Sequence, residues 1–126
     1  MTATPVNPPG TDPALGYTHG MLAEGGRTLY VSGQVGTGPD GETPADFTAQ
    51  AENAWRNLEA VLRAAGMGLD SIVKLGVYLT SPDDLASFRA VRGRFLSHKP
   101  ASTLVFVSAL ARPEWKVEVE AVAVAS

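Results

Sequence analysis

The chain has 126 residues, 44% of them hydrophobic and 18% charged, which is typical of one folded domain with a single core. The net charge of −3 offers no basic field to nucleic acid, and the lack of cysteine excludes disulfides, thiolate nucleophiles and zinc–cysteine sites. No apolar run approaches the roughly 20 residues of a membrane span. We therefore expect a cytoplasmic protein with neither a nucleic-acid nor a membrane partner.

The N-terminal third predicts an arm followed by two strands. Residues 1–14 are rich in proline and lack the basic and apolar regions of a secretory signal, so we expect an extended arm. The stretch RTLYVSGQV, residues 27–35, predicts a strand. The tight turn Glu24–Gly26 before it predicts a hairpin with residues 21–24. Glycines and prolines after Gly33 then predict a loop.

Two helices alternate with the next strand. Asp46 is the predicted N-cap of a helix whose apolar residues recur at helical spacing and which ends at Gly66. Residues 71–80 predict a strand, and residues 81–98 predict a second helix with Ser81 as its N-cap. The buried stripe of this second helix should consist of Leu85, Phe88, Val91, Phe95 and Leu96.

Residues 102–110 and 115–125 predict the last two strands. The order β-β-α-β-α-β-β indicates a single α+β domain over residues 1–126, with two helices on one face of a mixed sheet. The last strands carry apolar residues on both sides, so one sheet face would stay exposed to water in a lone chain. A closed ring of identical subunits is the common way to cover such a face, and we expect a homo-oligomer.

Glu118 and Glu120 belong to the last predicted strand and share one face of it, because strand side chains repeat every two residues. Two carboxylates on a face that should be buried need either partners or a polar cleft. We assign a functional role to Glu118, as a general acid or base, and a structural role to Glu120. The alternative is a structural salt bridge to Lys74 or Arg112.

Several segments together resemble the Rid family, the reactive intermediate deaminases that are also called YjgF or L-PSP proteins. The resemblance runs from about Leu15 to Val124, and its segments are GYTHG, LYVSGQV, QAENAWRNLEAVLRAAG, IVKLGVYLTSPDDLASF, PAST and VEVEAVA. It implies a chorismate-mutase-like domain that forms a homotrimer and binds small carboxylates in three clefts between subunits. It also implies hydrolysis of enamines and imines to ketoacids and ammonia, without a metal or an organic cofactor.

The resemblance also implies roles for single positions. Tyr17 matches the tyrosine that lines the cleft, and Ser32 and Gly33 match a serine and a glycine that bind substrate. Glu118 matches the glutamate that positions water or relays a proton. We therefore expect Glu118 and Tyr17 to be catalytic, and Ser32 and Gly33 to contact the substrate.

The family's carboxylate-binding arginine should follow Pro-Ala in PAST, where this chain has Ser102. Arginine holds a carboxylate through two charge-assisted hydrogen bonds, whereas serine offers one neutral hydroxyl. Losing such a clamp weakens carboxylate binding by about 1.5–3 kcal/mol. We expect Ser102 and the adjacent Thr103 to bind a substrate that is not a standard 2-imino acid.

Other side chains are secondary candidates. Arg112, in the loop between the last two strands, is the better substitute for the missing arginine, and we include it among the substrate-binding residues. Arg89 and Arg92 fit the solvated flanks of the second helix. Trp115 either covers a ligand or caps the core, and His19 fits a surface or packing role better than acid–base work.

The first functional hypothesis is thus a Rid-like hydrolase (deaminase) of enamines or imines. The alternative is a trimer that binds a small molecule without catalysis, or a catalyst specific to one pathway. Ribonuclease activity is disfavoured, because the net charge is negative and no basic patch with interleaved aromatic residues is present.

Overall fold

A computed structural model describes residues 2–10 and 17–126. Within them the strands and helices, in chain order, are β1 (Thr2–Val6), β2 (Gly20–Glu24), β3 (Arg27–Val35), α1 (Phe47–Ala64), β4 (Ile72–Leu79), α2 (Leu85–Phe95), β5 (Ala101–Phe106) and β6 (Val117–Ala125). Short 3-10 turns at Leu69–Ser71 and Pro82–Asp84 precede β4 and α2.

The main sheet has the strand order β3-β6-β4-β5. Strands β4 and β5 run parallel, as expected for a β-α-β unit, and the other two pairings are antiparallel. Helices α1 and α2 pack against each other and cover one face of this sheet. The predicted α+β domain with two helices on one face of a mixed sheet is thereby confirmed.

The hairpin predicted between residues 21–24 and 27–35 is wrong. Strand β2 pairs with β1 in a separate two-stranded sheet, and β3 pairs with β6. The chain does turn tightly at the two glycines of the predicted turn, but β1 supplies the ladder for β2. Apolar side chains of this small sheet, Pro5 and Met21, line a cavity of about 250 Å³ opposite Ile72 and Val124. The backbone hydrogen bonds of β2 are thus satisfied by β1 rather than by β3.

Several predicted boundaries differ from the structure, and β5 ends at Phe106 rather than at residue 110. Strand β1 lies within the arm predicted over residues 1–14, of which residues 1 and 11–14 lie outside the described residues. The helix predicted over 81–98 is shorter, because α2 ends where Leu96 adopts an extended conformation with φ −103° and ψ 126°. The helix also begins later than predicted, at Leu85, with Asp84 as its N-cap. Ser81 instead caps the 3-10 turn Pro82–Asp84, where its hydroxyl accepts a hydrogen bond from the Asp83 N–H.

Helix α1 begins and ends as the sequence predicts. The Asp46 carboxylate accepts a hydrogen bond of 3.0 Å from the Ala49 N–H, and Gly66 follows the helix with a φ of +73°. The fully buried Trp55 stacks on Phe95 of α2 with 5.8 Å between ring centroids. This aromatic contact fixes one helix against the other and closes the core.

The fully buried side chain of Gln50 ties two loops to α1. Its Nε2 donates to the carbonyl oxygens of Pro44 (2.8 Å) and Glu114 (2.9 Å), and its Oε1 accepts from the Lys116 N–H (2.9 Å). The helix backbone also comes so close to Gly36 that a Cβ there would stand 2.6 Å from Gln50 Cα. Gln50 thus holds the loops that lead out of β3 and into β6.

Replacing Gln50 with Leu is expected to lower the free energy of unfolding by about 2–4 kcal/mol, because three buried hydrogen bonds disappear together. Equilibrium urea denaturation measures this change. The matched control is Arg63→Gln on the exposed face of α1, which breaks only the 3.1 Å ion pair with Glu59 and should cost less than about 1 kcal/mol. Equal losses in the two variants would contradict the role given to Gln50.

Candidate active site

Strand β6 divides its side chains between two environments. Val117, Val119 and Ala121 are buried under the helices, whereas Glu118 and Glu120 alternate with them and are half-buried on the other face. We call that other face the open face. Its residues include Tyr30, Ser32, Lys74, Gly76, Tyr78, Thr103, Glu118, Glu120 and Val122.

Glu118 packs directly against Gly33. A Cβ built on Gly33 would stand 2.6 Å from Cδ of Glu118 and 2.9 Å from its Cγ, so any side chain at position 33 would displace the carboxylate from this position. The ladder between β3 and β6 shifts register between Val31 and Gln34, which takes Ser32 and Gly33 out of regular pairing. Such an irregularity re-aims the strand locally. The structure therefore brings Gly33 into contact with Glu118 and places Ser32 next to Gly33 in the same irregularity.

Glu120 is held by Tyr78 of β4. The Tyr78 hydroxyl donates a 2.6 Å hydrogen bond to Oε1 of Glu120, whose side chain lies over Gly76. This hydrogen bond, with smaller effects of burial and of the charges on Glu120 and Glu118, raises the pKa of Tyr78 above its usual 10.0. The phenol therefore stays a hydrogen-bond donor at neutral pH. No ion pair among the described residues joins Glu120 to Lys74 or to Arg112.

A cavity of about 300 Å³ opens beside Glu120, and Glu118 is not among the residues that line it. Tyr30, Ser32, Lys74, Gly76 and Glu120 contribute to its walls. The Lys74 ammonium donates a 3.0 Å hydrogen bond to Thr103 Oγ1, which brings the predicted Thr103 to the same face. The cavity thus combines an apolar floor with a carboxylate, an ammonium and hydroxyl groups, the composition of a small-molecule site.

Tyr17 lies in space beside the first residue of β5, because its neighbour Thr18 pairs with Ala101. The neighbouring Thr18 forms a parallel bridge with Ala101, and its hydroxyl donates a 2.6 Å hydrogen bond to the carbonyl oxygen of Lys99. The Tyr17 ring is half-buried and meets His19 edge-on, with 5.6 Å between centroids. The segment around Tyr17 is therefore fixed to the strand that carries Ser102 and Thr103.

Ser102 faces the helix layer. It is the ladder partner of Leu75, which is fully buried under the helices, and partners in a parallel ladder point to the same side of a sheet. Thr103, the next residue, therefore points to the open face, in agreement with its hydrogen bond to Lys74. Within one chain, Ser102 and Glu118 lie on opposite faces of the sheet.

Arg112 lies apart from the open-face cavity. Its guanidinium stacks 5.7 Å from the Trp115 ring centroid and stands 4.0 Å from a carboxylate oxygen of Glu114. With Thr37 and Thr43 these residues line a separate cavity of about 470 Å³. Within one chain the structure does not bring Arg112 to Glu118.

The arginines of α2 also lie outside the walls of the open-face cavity. Arg94 pairs with Glu52 of α1 at 3.0 Å. Arg92 is half-buried, and its burial, with a smaller effect of the charge on Arg89, lowers its pKa. No arginine among the described residues therefore lines the open-face cavity.

From the sequence alone, we gave Lys74 and Tyr78 no role in a substrate site. Lys74, Gly76 and Tyr78 are alternate residues of β4, so the sequence already places them on one face of that strand. The sequence does not show that β4 pairs with β6, and this pairing places Tyr78 opposite Glu118 and Lys74 opposite Val122.

Within residues 2–10 and 17–126, neither helix is long and apolar enough to span a membrane. The same residues contain no group of three or more histidine, aspartate or glutamate side chains arranged to hold a metal ion.

Sequence comparison matches nearly the whole chain to known proteins. The family model described as Endoribonuclease L-PSP matches residues 9–125. Protein DfrA of Myxococcus xanthus is 37% identical over 111 residues, 86% of this chain and 84% of that protein. The 2-iminobutanoate/2-iminopropanoate deaminase of Escherichia coli K12 is 36% identical over 104 residues, 79% of this chain and 80% of that protein.

Solved structures agree with this match. YyfB of Yersinia pestis, described as a conserved Rid-family protein of unknown function, superimposes with a TM-score of 0.88 at 33% identity, covering 99% of this chain and all of that one (100%). Escherichia coli TdcF, solved with bound serine, gives a TM-score of 0.75 at 32% identity, with coverages of 94% and 93%. The predicted chorismate-mutase-like fold is thereby confirmed.

Gly33→Ala is expected to lower the free energy of unfolding by about 1–3 kcal/mol, because the added methyl collides with the side chain of Glu118. Truncating that side chain as well, in Gly33→Ala/Glu118→Ala, should recover most of the loss relative to Glu118→Ala alone. Urea denaturation of the four chains gives the coupling energy.

Gly93→Ala is the control for this cycle, since a Cβ on Gly93 meets no atom within 4 Å and the residue lies in α2. It should stabilise the chain by about 0.5–1 kcal/mol. The packing of Glu118 on Gly33 would be refuted if Gly33→Ala lowered the free energy of unfolding equally with and without the Glu118 side chain.

Tyr78→Phe is expected to change how stability depends on alkaline pH. Because folding raises the pKa of Tyr78 above 10.0, its stabilisation is complete below about pH 10 and is lost as the pH rises through the folded-state pKa. Unfolding free energies from about pH 8 to about pH 11 should therefore fall more steeply for the wild type than for Tyr78→Phe. Parallel curves would contradict the hydrogen bond to Glu120.

Proposed function

Since the chain belongs to the Endoribonuclease L-PSP family, which includes Rid proteins, we propose that it is a deaminase that hydrolyses the imine or enamine form of a small metabolite. Support from relatives comes from the Escherichia coli protein named 2-iminobutanoate/2-iminopropanoate deaminase. TdcF, solved with bound serine, supports a substrate of about the size of an amino acid.

The contact between Glu118 and Gly33 is the observation that carries this proposal. Glu118 is half-buried at a strand irregularity, and Glu120, two residues along the same face of β6, lines a cavity large enough for a small metabolite. A carboxylate in this setting can take a proton from water or return one to a substrate nitrogen. Ser32 and Thr103 add hydroxyl groups on the same face, and Tyr17 is the second residue to which we give a catalytic role.

The proposed reaction is hydrolysis of a C=N bond. Water adds through its oxygen to the carbon of the protonated imine, and one water proton passes to Glu118, which leaves a neutral amino alcohol. Glu118 returns that proton to the nitrogen, the C–N bond breaks to release ammonia, and the hydroxyl proton is lost to solvent as the carbonyl group forms. An enamine is first protonated at carbon, which gives the same imine. The protonated imine is a cation, and the carboxylates of Glu118 and Glu120 favour it electrostatically.

The substrate we propose has no carboxylate on its imine carbon. Serine at position 102 offers one neutral hydroxyl where the resemblance leads one to expect arginine, and Ser102 lies across the sheet from Glu118. Arg112 contacts Glu114 and Trp115 rather than this face. A standard 2-imino acid would therefore lack its usual clamp within one chain.

A homotrimer with clefts between subunits is also part of the proposal. Tyr30 on the open face is 77% exposed, and the edge strand β5 leaves Val105 and Phe106 40% and 43% exposed. Apolar exposure on this scale favours burial against another copy of the chain. A neighbouring subunit would then complete the walls of the open-face cavity.

The family description names an endoribonuclease, and we propose that this chain does not act on RNA. Its net charge is −3, so it lacks the electrostatic attraction that supplies most nonspecific binding of nucleic acids. RNA that is cleaved by the purified wild type, but not by Glu118→Gln, would contradict this view.

Glu118→Gln is expected to slow imine hydrolysis by at least about 100-fold, because the amide cannot accept the water proton. Hexylamine and 2-aminohexanoate, oxidised in situ by flavin oxidases, supply an uncharged imine and a 2-imino acid of equal carbon number. The wild type should accelerate hydrolysis of the uncharged imine more than that of the 2-imino acid, as followed by ammonia release.

Glu114→Gln is the matched control, because it neutralises an exposed carboxylate in the loop before β6. It should keep the wild-type rate, and Glu118→Gln should keep the wild-type oligomeric state in sedimentation. Unchanged turnover in Glu118→Gln would refute its catalytic role. A larger effect on the 2-imino acid would refute the proposed substrate preference.

A further inference from the structure

The open-face cavity contains one ammonium group among the described residues that line it. Lys74 supplies that ammonium, and Glu120 supplies the one carboxylate in the same wall. The other lining groups are the Tyr30 and Ser32 hydroxyls and small or apolar residues. A cation in a cavity of this size is a recognition element for a small anion.

Lys74 is positioned by a neutral group and forms no ion pair with any residue in the ranges 2–10 and 17–126. Its Nζ donates a 3.0 Å hydrogen bond to Thr103 Oγ1, and none of the ion pairs among the described residues includes it. An ammonium has three N–H donors, so the bond to Thr103 orients the group and leaves donors for a ligand. The hydroxyl thus fixes the charge without neutralising it.

Tyr78 explains why Glu120 does not neutralise Lys74. Glu120 lies over Gly76, one side-chain row along the open face from Lys74, but its Oε1 accepts the 2.6 Å hydrogen bond from Tyr78. That bond holds the carboxylate toward Tyr78. The open face is therefore divided into a negative side, with Glu118 and Glu120, and a positive side at Lys74.

The negative and positive sides lie on opposite sides of β4, two strand spacings apart. Glu120 and Thr103 are the partners of Gly76 on its two neighbouring strands, so about 10 Å lies between their backbones. A ligand that crosses Gly76 meets carboxylates at one end and the Lys74 ammonium at the other. A molecule with a cationic and an anionic end, joined by several bonds, matches this arrangement best.

We propose that Lys74 binds a carboxylate of the substrate that is several bonds away from the imine carbon. This inference rests on the proposed imine hydrolysis and names the substrate class: imines or enamines with a distal acidic group. The protonated imine lies at Glu118 and Glu120, and the distal carboxylate lies at Lys74. A carboxylate on the imine carbon itself is repelled by the two glutamates.

The test compares three imines with six carbons each, generated in situ from 6-aminohexanoate, hexylamine and 2-aminohexanoate. The wild type should show its highest kcat/KM with the imine of 6-aminohexanoate. Lys74→Met should lower the ratio of that value to the hexylamine value by at least about tenfold, mainly through KM. Lys74→Arg should retain most of the preference.

Arg63→Met, which removes an exposed cation on α1, is the matched control and should keep the wild-type ratio. Tyr78→Phe should lower the ratio, because Glu120 is then free to pair with Lys74. A ratio that Lys74→Met leaves unchanged, or that falls in Arg112→Gln instead, would overturn the inference.

Binding without turnover separates this inference from the proposed function. The probe is 5-oxohexanoate, a ketone with a distal carboxylate, and 2-hexanone is its uncharged counterpart. Calorimetry should detect tighter binding of 5-oxohexanoate to the wild type and a loss of at least about tenfold in Lys74→Met. Such binding without hydrolysis of any imine would refute the hydrolase and retain the Lys74 site. Equal binding to both proteins, or none to the wild type, would overturn the Lys74 site even if hydrolysis occurs.

Discussion

The packing of the Glu118 carboxylate against the backbone of Gly33 is the contact on which the candidate site depends. A charged group is stable on a sheet face only if neighbouring strands give it room and polar partners. Glycine provides the room twice, at Gly33 for Glu118 and at Gly76 for Glu120. The register shift in β3 takes Ser32 and Gly33 out of the regular ladder with β6, and the Glu118 side chain packs at this irregularity. On the helix side of the sheet, Gln50 supports this geometry because its hydrogen bonds hold the loop after β3 and the loop before β6 against α1.

This arrangement links the fold to the proposed chemistry. The buried side of β6 is a row of valines and alanines that anchors the strand under α1, so the carboxylates on its other side sit on a fixed support. A protonated imine gains most from carboxylates that are already in place and need no reorganisation. Tyr78 orients Glu120 through its hydroxyl, and Thr103 orients Lys74 in the same way. The two charges of opposite sign therefore remain separate on one face, which favours a substrate that carries both.

Much of the fold could be predicted from the sequence, because local signals determine it. Asp46 caps α1, the helical spacing of its apolar residues gives its buried side, and the alternation in β6 separates Glu118 from the core. The partner of β2 could not be predicted, since the proline-rich start of the chain hides β1. The faces of Ser102 and Lys74 depend on which strands pair and in what register, which a single strand does not reveal. The parallel ladder with β4 places Ser102 with the buried Leu75 and Thr103 with Lys74.

The central claim is that the open face accelerates hydrolysis of a C=N bond. The most direct test follows the disappearance of an uncharged imine, formed in situ from hexylamine, as the concentration of the wild-type protein is raised. We expect a rate that increases in proportion to protein concentration, with ammonia and the aldehyde formed in equal amounts. A rate equal to that of buffer alone at every protein concentration would contradict it.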